Sequence, residues 1–216
     1  MSDAPGRHNS AASIYAQPNE ASPTAVPKAP PHSSEFERLE QPRRNIELKA
    51  HDPDRVRSLE VCRTLGAEDR GEIWQRDTYF QVASGGLKLR EERPGRQHLI
   101  QFQRANEPQQ RESRYRIIEV DDGAVLSAAL DDAIGIRVVV TKHRRLFLWR
   151  DVRIHLDRVE QLGEFIELEA VAPADSELAH EHNLIVELRA AFGITDERLL
   201  AVGYADQLLK IQASTT

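Results

Sequence analysis

Residues 165–170 of the chain read FIELEA, a stretch in which apolar and acidic side chains alternate. Because successive side chains of a β-strand point to opposite faces, Ile166 and Leu168 would share one face and Glu167 and Glu169 the other. One face therefore suits a hydrophobic core, while the other carries two carboxylates with no adjacent counter-charge. The stretch predicts a strand whose acidic face takes its counter-charge from elsewhere.

Four other predicted strands repeat this alternation. Their charged faces carry Glu47 with Lys49, Lys88 with Arg90, Lys142 with Arg144, and Arg153 with His155 and Asp157. A single strand of this kind is common in an antiparallel sheet that has one wetted face. Across the set, however, basic pairs and carboxylate pairs fall on different strands, which indicates an organised charged surface.

From Arg43 onward the sequence is mostly β, with helical segments near its start, middle and end. Strands are predicted over residues 45–50, 72–83, 87–93, 97–104, 114–120, 136–148, 151–159 and 163–171. Helices are predicted from Asp52 to Gly66, over 121–132 and 176–192, near Asp196, and over 204–209. Asp52 and Asp121 are the expected N-caps.

About eight sequential strands can close into a barrel, which removes unpaired edges and creates an interior. With the charged faces inward, the apolar faces would lie outside, where amphipathic helices could cover them. We therefore expect an α+β fold: a closed eight-stranded, mainly antiparallel β-barrel with a charged interior and helices packed outside. An open sheet with one wet face is the alternative.

Composition sets the domain organisation. The 216 residues, 40% hydrophobic and 30% charged, suffice for one domain with a tail or for two small domains. Residues 1–41 hold six of the 11 prolines and show no apolar periodicity. They predict a disordered tail rich in Pro, Ala and Ser, followed by one domain over residues 42–212.

Charge and cysteine content exclude several classes of protein. The formal net charge of −6 argues against nucleic-acid binding. The single cysteine, Cys62, allows neither an internal disulfide nor a cysteine-based metal site. No segment approaches the roughly 18 apolar residues of a membrane span, and the N-terminus lacks the apolar core of a secretory signal. We expect a cytoplasmic protein with neither nucleic acid nor membrane as a partner.

A charged barrel interior of this composition suits a polyphosphate and a metal ion. Lysines and arginines at this density match phosphate oxygens. Carboxylates beside them suit Mg²⁺ or Mn²⁺, hard ions that prefer oxygen ligands and bridge to phosphate. Because buried charges must be paired or bind ions, Glu167 and Glu169 are expected to bind metal. The alternative is that they form ion pairs with the interior cations.

Six stretches together resemble a known family. They are NIELKA at 45–50, RDTYF at 76–80, GGLKLRE at 85–91, TKHRRLFL at 141–148, VRIHLDRVEQLGEFIELEA at 152–170 and YADQLL at 204–209. From about Arg43 to Leu209 the chain resembles the CYTH superfamily of triphosphate tunnel metalloenzymes, and is most similar to its class IV adenylyl cyclase-like bacterial branch. This resemblance implies metal-dependent chemistry on a small-molecule triphosphate.

The resemblance also implies roles for individual residues. It makes Glu47, Glu167 and Glu169 metal ligands, and Lys49 and Asp157 catalytic. It makes the following residues triphosphate-binding: Lys49, Lys88, Arg90, Arg104, Arg111, Lys142, Arg144 and Arg153. Three positions depart from the family pattern. Asn45 replaces the first signature glutamate, and Gly86 stands where many relatives have arginine. Gln103 replaces a lysine of the fourth strand, for which the neighbouring Arg104 is the expected substitute. Tyr79, Tyr115 and His155 are expected to serve packing.

Three functions are compatible with these residues. The first is a class IV-type adenylyl cyclase, a lyase that converts ATP to cyclic AMP and pyrophosphate with Mg²⁺ or Mn²⁺. The second is a triphosphatase acting on inorganic triphosphate or on an organic one such as thiamine triphosphate. The third is a non-catalytic triphosphate- or nucleotide-binding module, an alternative that the Asn45 replacement keeps open. Relatives are often dimers, so a homodimer is left open.

Overall fold

Eight strands close into a barrel in the computed structural model, which describes residues 42–105 and 109–215. The strands are β1 (Arg43–His51), β2 (Glu68–Phe80), β3 (Gly86–Arg93), β4 (Gln97–Arg104), β5 (Arg111–Val120), β6 (Ile136–Trp149), β7 (Val152–Val159) and β8 (Gly163–Ala172). Their order around the barrel is β1-β5-β4-β3-β2-β6-β7-β8, and every neighbouring pair is antiparallel. The predicted α+β barrel is confirmed.

Four α-helices lie outside the barrel in the described part of the chain. They are α1 (Arg55–Thr64), α2 (Gly123–Ile134), α3 (Ala179–Ala191) and α4 (Tyr204–Thr215), and a short 3₁₀ helix spans Asp196–Arg198. None of these described helices has both the length and the apolar character needed to span a membrane.

The main hydrophobic core lies between the outer face of the barrel and helices α1 and α3. Ile46 and Leu48 of β1 and Ile154 of β7 are fully or almost fully buried against Ile185 and Leu188 of α3. Burial of each such side chain contributes roughly 1.5–3 kcal/mol to folding. Because the apolar faces are covered from outside, the inward faces are left for polar side chains.

The first two helices begin later than the sequence predicts. Asp54, not Asp52, caps α1, and Asp122, not Asp121, caps α2; each carboxylate accepts a 3.0 Å hydrogen bond from the backbone amide three residues on. Asp52 is instead buried and accepts a 2.9 Å hydrogen bond from Ser58 Oγ. Aspartate is a good N-cap at either position, so composition alone does not choose between close neighbours.

Two strands also differ from their predicted bounds because of their barrel partners. β2 begins at Glu68 rather than at residue 72, since it pairs with β6 as far as Leu148. β5 begins at Arg111 rather than at residue 114, since its first residue pairs with Glu47 of β1. Arg111 therefore belongs to the barrel wall and not to the preceding loop.

The predicted disordered tail over residues 1–41 lies outside the described residues. The tail and the domain bounds of 42–212 therefore stay predictions. Described strands and helices run from Arg43 to Thr215.

Candidate active site

The barrel interior contains a cavity of about 120 Å³ lined by charged and aromatic side chains. Strand alternation delivers most of the predicted site residues to it, because each of the predicted pairs occupies successive inward positions. The predicted residues that line the cavity are Glu47, Lys49, Lys88, Arg90, Arg104, Lys142, Arg144, Glu167 and Glu169. Arg111, Arg153 and Asp157 are not part of this lining.

Glu167 of β8 is a buried carboxylate that lines the cavity. It forms ion pairs with Lys49, its neighbour across the β1–β8 pair, and with Arg144 Nη2 at 2.6 Å. Its Oε2 lies 3.4 Å from His155 Nδ1. Burial raises the pKa of Glu167, but the adjacent Lys49 and Arg144 outweigh burial and hold that pKa well below its usual range. Glu167 is therefore a carboxylate at neutral pH.

Glu47 of β1 is held between two arginines. Arg104 Nη1 and Arg111 Nε each donate a hydrogen bond of 3.0 Å to Glu47 Oε1. Arg111 also donates a 2.7 Å hydrogen bond to the carbonyl oxygen of Ala201, just before α4. Because Arg111 is buried between these partners, it positions Glu47 and the segment that leads into α4.

Asp157 of β7 acts on the cavity through its partners. It is fully buried and accepts two hydrogen bonds of 2.7 Å from Arg144 Nε and Nη2, and one of 3.0 Å from Tyr204 Oη. Burial raises its pKa, but the Arg144 guanidinium together with Lys142 holds that pKa below its usual range. Asp157 thus fixes the guanidinium of Arg144 and the first residue of α4.

Asp77 of β2 is a residue of the site that is not among the residues predicted from the sequence. Its fully buried carboxylate accepts hydrogen bonds from three cavity cations. They are Arg90 at 2.7 and 2.8 Å, Lys88 at 2.9 Å and Lys142 at 3.4 Å. Burial raises the pKa of Asp77, yet these cations hold it well below its usual range. Its place in the quoted RDTYF stretch, two residues before Tyr79 on the same strand face, was the signal that could have found it.

Two cavity lysines have lowered pKa values. Burial, assisted by the positive charge of Arg90, lowers the pKa of Lys88 to about 8. Burial and Arg144 lower the pKa of Lys142 to about 7, although Asp77 opposes the shift. Both groups therefore lie close to their titration range at neutral pH, and a bound anion would favour their protonated forms.

A group of potential metal ligands lies on β7 and β8. Ligand atoms of His155, Glu167 and Glu169 all lie within 4.8 Å of one another. Asn45 Oδ1 is buried in the lining of the same cavity and has no hydrogen-bond partner among the described residues. Arg153, 37% exposed at its side chain, reaches only the edge of the group, with Nη1 3.5 Å from Glu169 Oε2. Carboxylate and amide oxygens fit a hard divalent cation, so the donor set suits Mg²⁺ or Mn²⁺.

Aromatic side chains complete the cavity wall. The ring of Tyr204 lies 4.2 Å from Lys49 Nζ and 5.6 Å from Lys142 Nζ, so the first residue of α4 covers two cavity cations. Tyr79 and Tyr115 also line the cavity, although their sequence positions predict packing roles. Sequence alternation places them inward, but only barrel closure brings them beside the charged groups.

A family model described as the CYTH domain matches residues 43–204 of the chain. No curated protein shows significant similarity to it.

Solved structures share this fold at low sequence identity. A Pyrococcus horikoshii protein is 21% identical with a TM-score of 0.68, over 75% of this chain and 98% of that one. A proposed adenylate cyclase from Vibrio parahaemolyticus is 19% identical with a TM-score of 0.65, over 78% and 99%. A proposed adenylyl cyclase from Hippeastrum, described as having a dominant triphosphatase activity, is 15% identical with a TM-score of 0.51, over 74% and 91%.

Proposed function

The chain belongs to the CYTH domain family, and we propose that it is a metal-dependent enzyme that cleaves a phosphoanhydride bond of a small-molecule triphosphate bound inside the barrel. Within this chemistry, we propose the class IV adenylyl cyclase reaction first.

The observation that carries the proposal is the placement of a pair of cations and a pair of carboxylates on opposite sides of the cavity. Lys88 and Arg90 project from β3, and Glu167 and Glu169 project from β8, which stands four strands away in either direction around the ring. One wall can therefore contact phosphate oxygens while the opposite wall supplies carboxylates. A triphosphate with a divalent cation complements both walls at once.

The basic wall would bind and orient the phosphates. Arg90 offers a planar fork of donors, and Lys88 and Lys142 add point charges beside it. Asp77 holds these three groups together before substrate binds, so little rearrangement is needed on binding. Lys49, between Glu167 and the Tyr204 ring, is the proposed catalytic cation nearest to the acidic wall.

The acidic wall would hold the metal. Glu167 and Glu169 are the proposed ligands. Asn45 and Glu47 line the same cavity, and Arg104 and Arg111 hold the Glu47 carboxylate. A Mg²⁺ or Mn²⁺ ion bound there would supply positive charge that neutralises the charge developing on the phosphate oxygens. Asp157 keeps Arg144 oriented toward Glu167 and is proposed as a positioning residue.

The two candidate reactions differ in the attacking atom and in the bond that breaks. In the cyclase, the ribose 3′ oxygen attacks the α-phosphorus, the α–β phosphoanhydride bond breaks, and pyrophosphate leaves. In the triphosphatase, water attacks the terminal phosphorus and orthophosphate leaves. The resemblance of residues 152–170 to the class IV branch puts the cyclase first. Solved structures of this fold are named after both activities, so the fold alone does not choose.

Product analysis tests the proposal. The purified chain is incubated with ATP and, separately, with inorganic triphosphate, each with Mg²⁺ or Mn²⁺, and the products are separated by chromatography. Cyclic AMP and pyrophosphate are expected from ATP. Orthophosphate without cyclic AMP would assign the triphosphatase instead. Binding without any product would contradict the enzymatic proposal and favour a binding module.

A further inference from the structure

One stretch of the barrel wall presents almost no charge to the cavity. On β4 and β5, the cavity-lining side chains among the described residues include a single cation, Arg104, which is ion-paired with Glu47. The other lining side chains of these two strands, which we call the uncharged wall, are Ile100, Phe102, Ser113, Tyr115 and Ile117. Since β4 and β5 lie between β3, with Lys88 and Arg90, and the carboxylate-bearing strands β1 and β8, this wall faces any ligand that reaches from the cations to the carboxylates.

The hydroxyl of Tyr115 is buried in the uncharged wall without a partner. Tyr115 is 8% exposed, and its Oη makes no hydrogen bond among the described residues. Two other tyrosines of the cavity differ, since Tyr204 Oη donates a 3.0 Å hydrogen bond to Asp157 and Tyr79 Oη lies 3.5 Å from Lys88 Nζ. A buried hydroxyl without a partner costs free energy, so the ligand-free fold gains nothing from it that phenylalanine would not supply. The hydroxyl therefore indicates a partner that arrives with a ligand.

The chemistry of the cavity identifies this partner as an anionic oxygen. The cations of β3 and β6 suit a polyanion, and the oxygens of a triphosphate accept hydrogen bonds. A phosphate oxygen that faced only Ile100 and Ile117 would lose its hydrating water without a replacement. A tyrosine hydroxyl can donate to such an oxygen without placing a further cation beside the carboxylates of the neighbouring strand β1.

We propose that the Tyr115 hydroxyl donates a hydrogen bond to a phosphate oxygen of a triphosphate bound in the barrel, so that Tyr115 is a substrate-binding residue. This inference rests on the proposed function, because it needs the barrel to bind triphosphate. It goes further by assigning a ligand contact to the uncharged wall and by giving the hydroxyl of Tyr115 a role that packing does not require.

Tyr115→Phe separates binding from folding, because it removes the hydroxyl and keeps the ring. The affinity for inorganic triphosphate, titrated calorimetrically into the full chain in EDTA to prevent metal-dependent turnover, should fall about tenfold, because a hydrogen bond to a charged oxygen is lost. The midpoint of urea unfolding without ligand should not fall, because the hydroxyl has no partner to lose. Ser127→Ala removes a hydroxyl from α2, outside the barrel, and should keep the affinity of the unmodified chain.

Carbon-13 NMR provides a second measurement on the unmodified chain, labelled at the tyrosine ring carbon that bears the hydroxyl. The chain has four tyrosines, and the Tyr115 signal is the one that is absent from the spectrum of Tyr115→Phe. Addition of inorganic triphosphate should shift this signal, because the carbon next to the hydroxyl reports its hydrogen bonding. An unshifted Tyr115 signal at saturating triphosphate would contradict the contact.

The outcomes separate the two proposals. Equal affinities of Tyr115→Phe and the unmodified chain would overturn the Tyr115 assignment and leave triphosphate binding in the barrel intact. A lower unfolding midpoint for Tyr115→Phe would show that the hydroxyl supports the fold, and it would also overturn the assignment. Absence of triphosphate binding by the unmodified chain, in EDTA and with Mg²⁺ alike, would instead contradict the proposed function itself.

Discussion

Asp77 and Arg90 form a two-pronged ion pair inside the barrel, with Nε to Oδ1 at 2.7 Å and Nη2 to Oδ2 at 2.8 Å. Asp77 is fully buried and has two lysines as further partners, so it serves as the protein's own anion among the phosphate-binding cations. A buried carboxylate in this position compensates positive charge in the absence of substrate.

Removal of the Asp77 carboxylate should destabilise the fold. Asp77→Asn keeps the shape but leaves three cations without their shared counter-charge, so the free energy of unfolding should fall by about 3 kcal/mol. Added triphosphate should raise the free energy of unfolding of the variant more than it raises that of the unmodified chain. Urea denaturation with and without triphosphate measures both effects.

Asp69→Asn is the matched control for this change. Asp69 pairs with Arg145 on the exterior, where the two side chains are 39% and 33% exposed. Its loss should alter stability by less than about 1 kcal/mol. Equal losses from the two variants would contradict the special role of Asp77.

Glu167 should be needed for turnover more than for folding. Glu167→Gln removes a proposed metal ligand and the carboxylate that pairs with Lys49, while Arg144 keeps its two hydrogen bonds to Asp157. We expect turnover to fall at least about 100-fold at a fixed Mg²⁺ concentration, with a barrel that still unfolds cooperatively. Initial rates and circular dichroism measure the two properties.

Glu164→Gln provides the comparison on the same strand. Glu164 pairs with the exposed Arg158 on the outer surface, with nitrogen and oxygen 3.0 Å apart. The activity of the Glu164→Gln variant should match that of the unmodified chain. Full activity in Glu167→Gln would show that the metal assignment is wrong.

Triphosphate affinity should fall as the pH rises above about 7. The pKa of Lys142 is lowered to about 7 and that of Lys88 to about 8, so these side chains lose their positive charge in this range when no anion is bound. Binding of the anion favours the protonated lysines and should therefore take up protons. Titrations across this pH range, repeated in buffers of different ionisation enthalpy, measure both the affinity and the proton uptake.

Lys142→Arg isolates the contribution of Lys142. An arginine stays charged throughout this range, so the variant should lose the part of the pH dependence near pH 7 and take up fewer protons. An unchanged pH profile would remove Lys142 from the triphosphate site.

The hydroxyl of Tyr204 should contribute to stability, whereas that of Tyr115 should not. Tyr204→Phe removes the 3.0 Å hydrogen bond to Asp157 and should lower the free energy of unfolding by about 1.5 kcal/mol or more. Tyr115 Oη has no hydrogen-bond partner among the described residues, so Tyr115→Phe should be close to neutral. Similar losses from both variants would contradict the anchoring role of Tyr204 at the start of α4.

The alternation of apolar and charged residues allowed the barrel and most of its lining to be predicted. Glu167 and Lys49 were each predicted on the charged face of a strand, and they do form an ion pair across β1 and β8. The caps at Asp54 and Asp122 differ from the predicted ones because neighbouring aspartates offer the same capping chemistry. The residues of the site divide similarly. Those with a local sequence pattern were predicted, and those that depend on contacts between distant residues are seen only in the structure.

By itself the sequence determined which side chains face inward, because a strand alternates its faces whatever its partners are. Only the tertiary structure decided which charges meet. Asp77 lies 65 residues from Lys142, and Phe102 fills the space beside Gly86 across the β3–β4 pair. Such contacts depend on strand register and on closure of the barrel, which join residues far apart in the chain and leave no local pattern in the sequence.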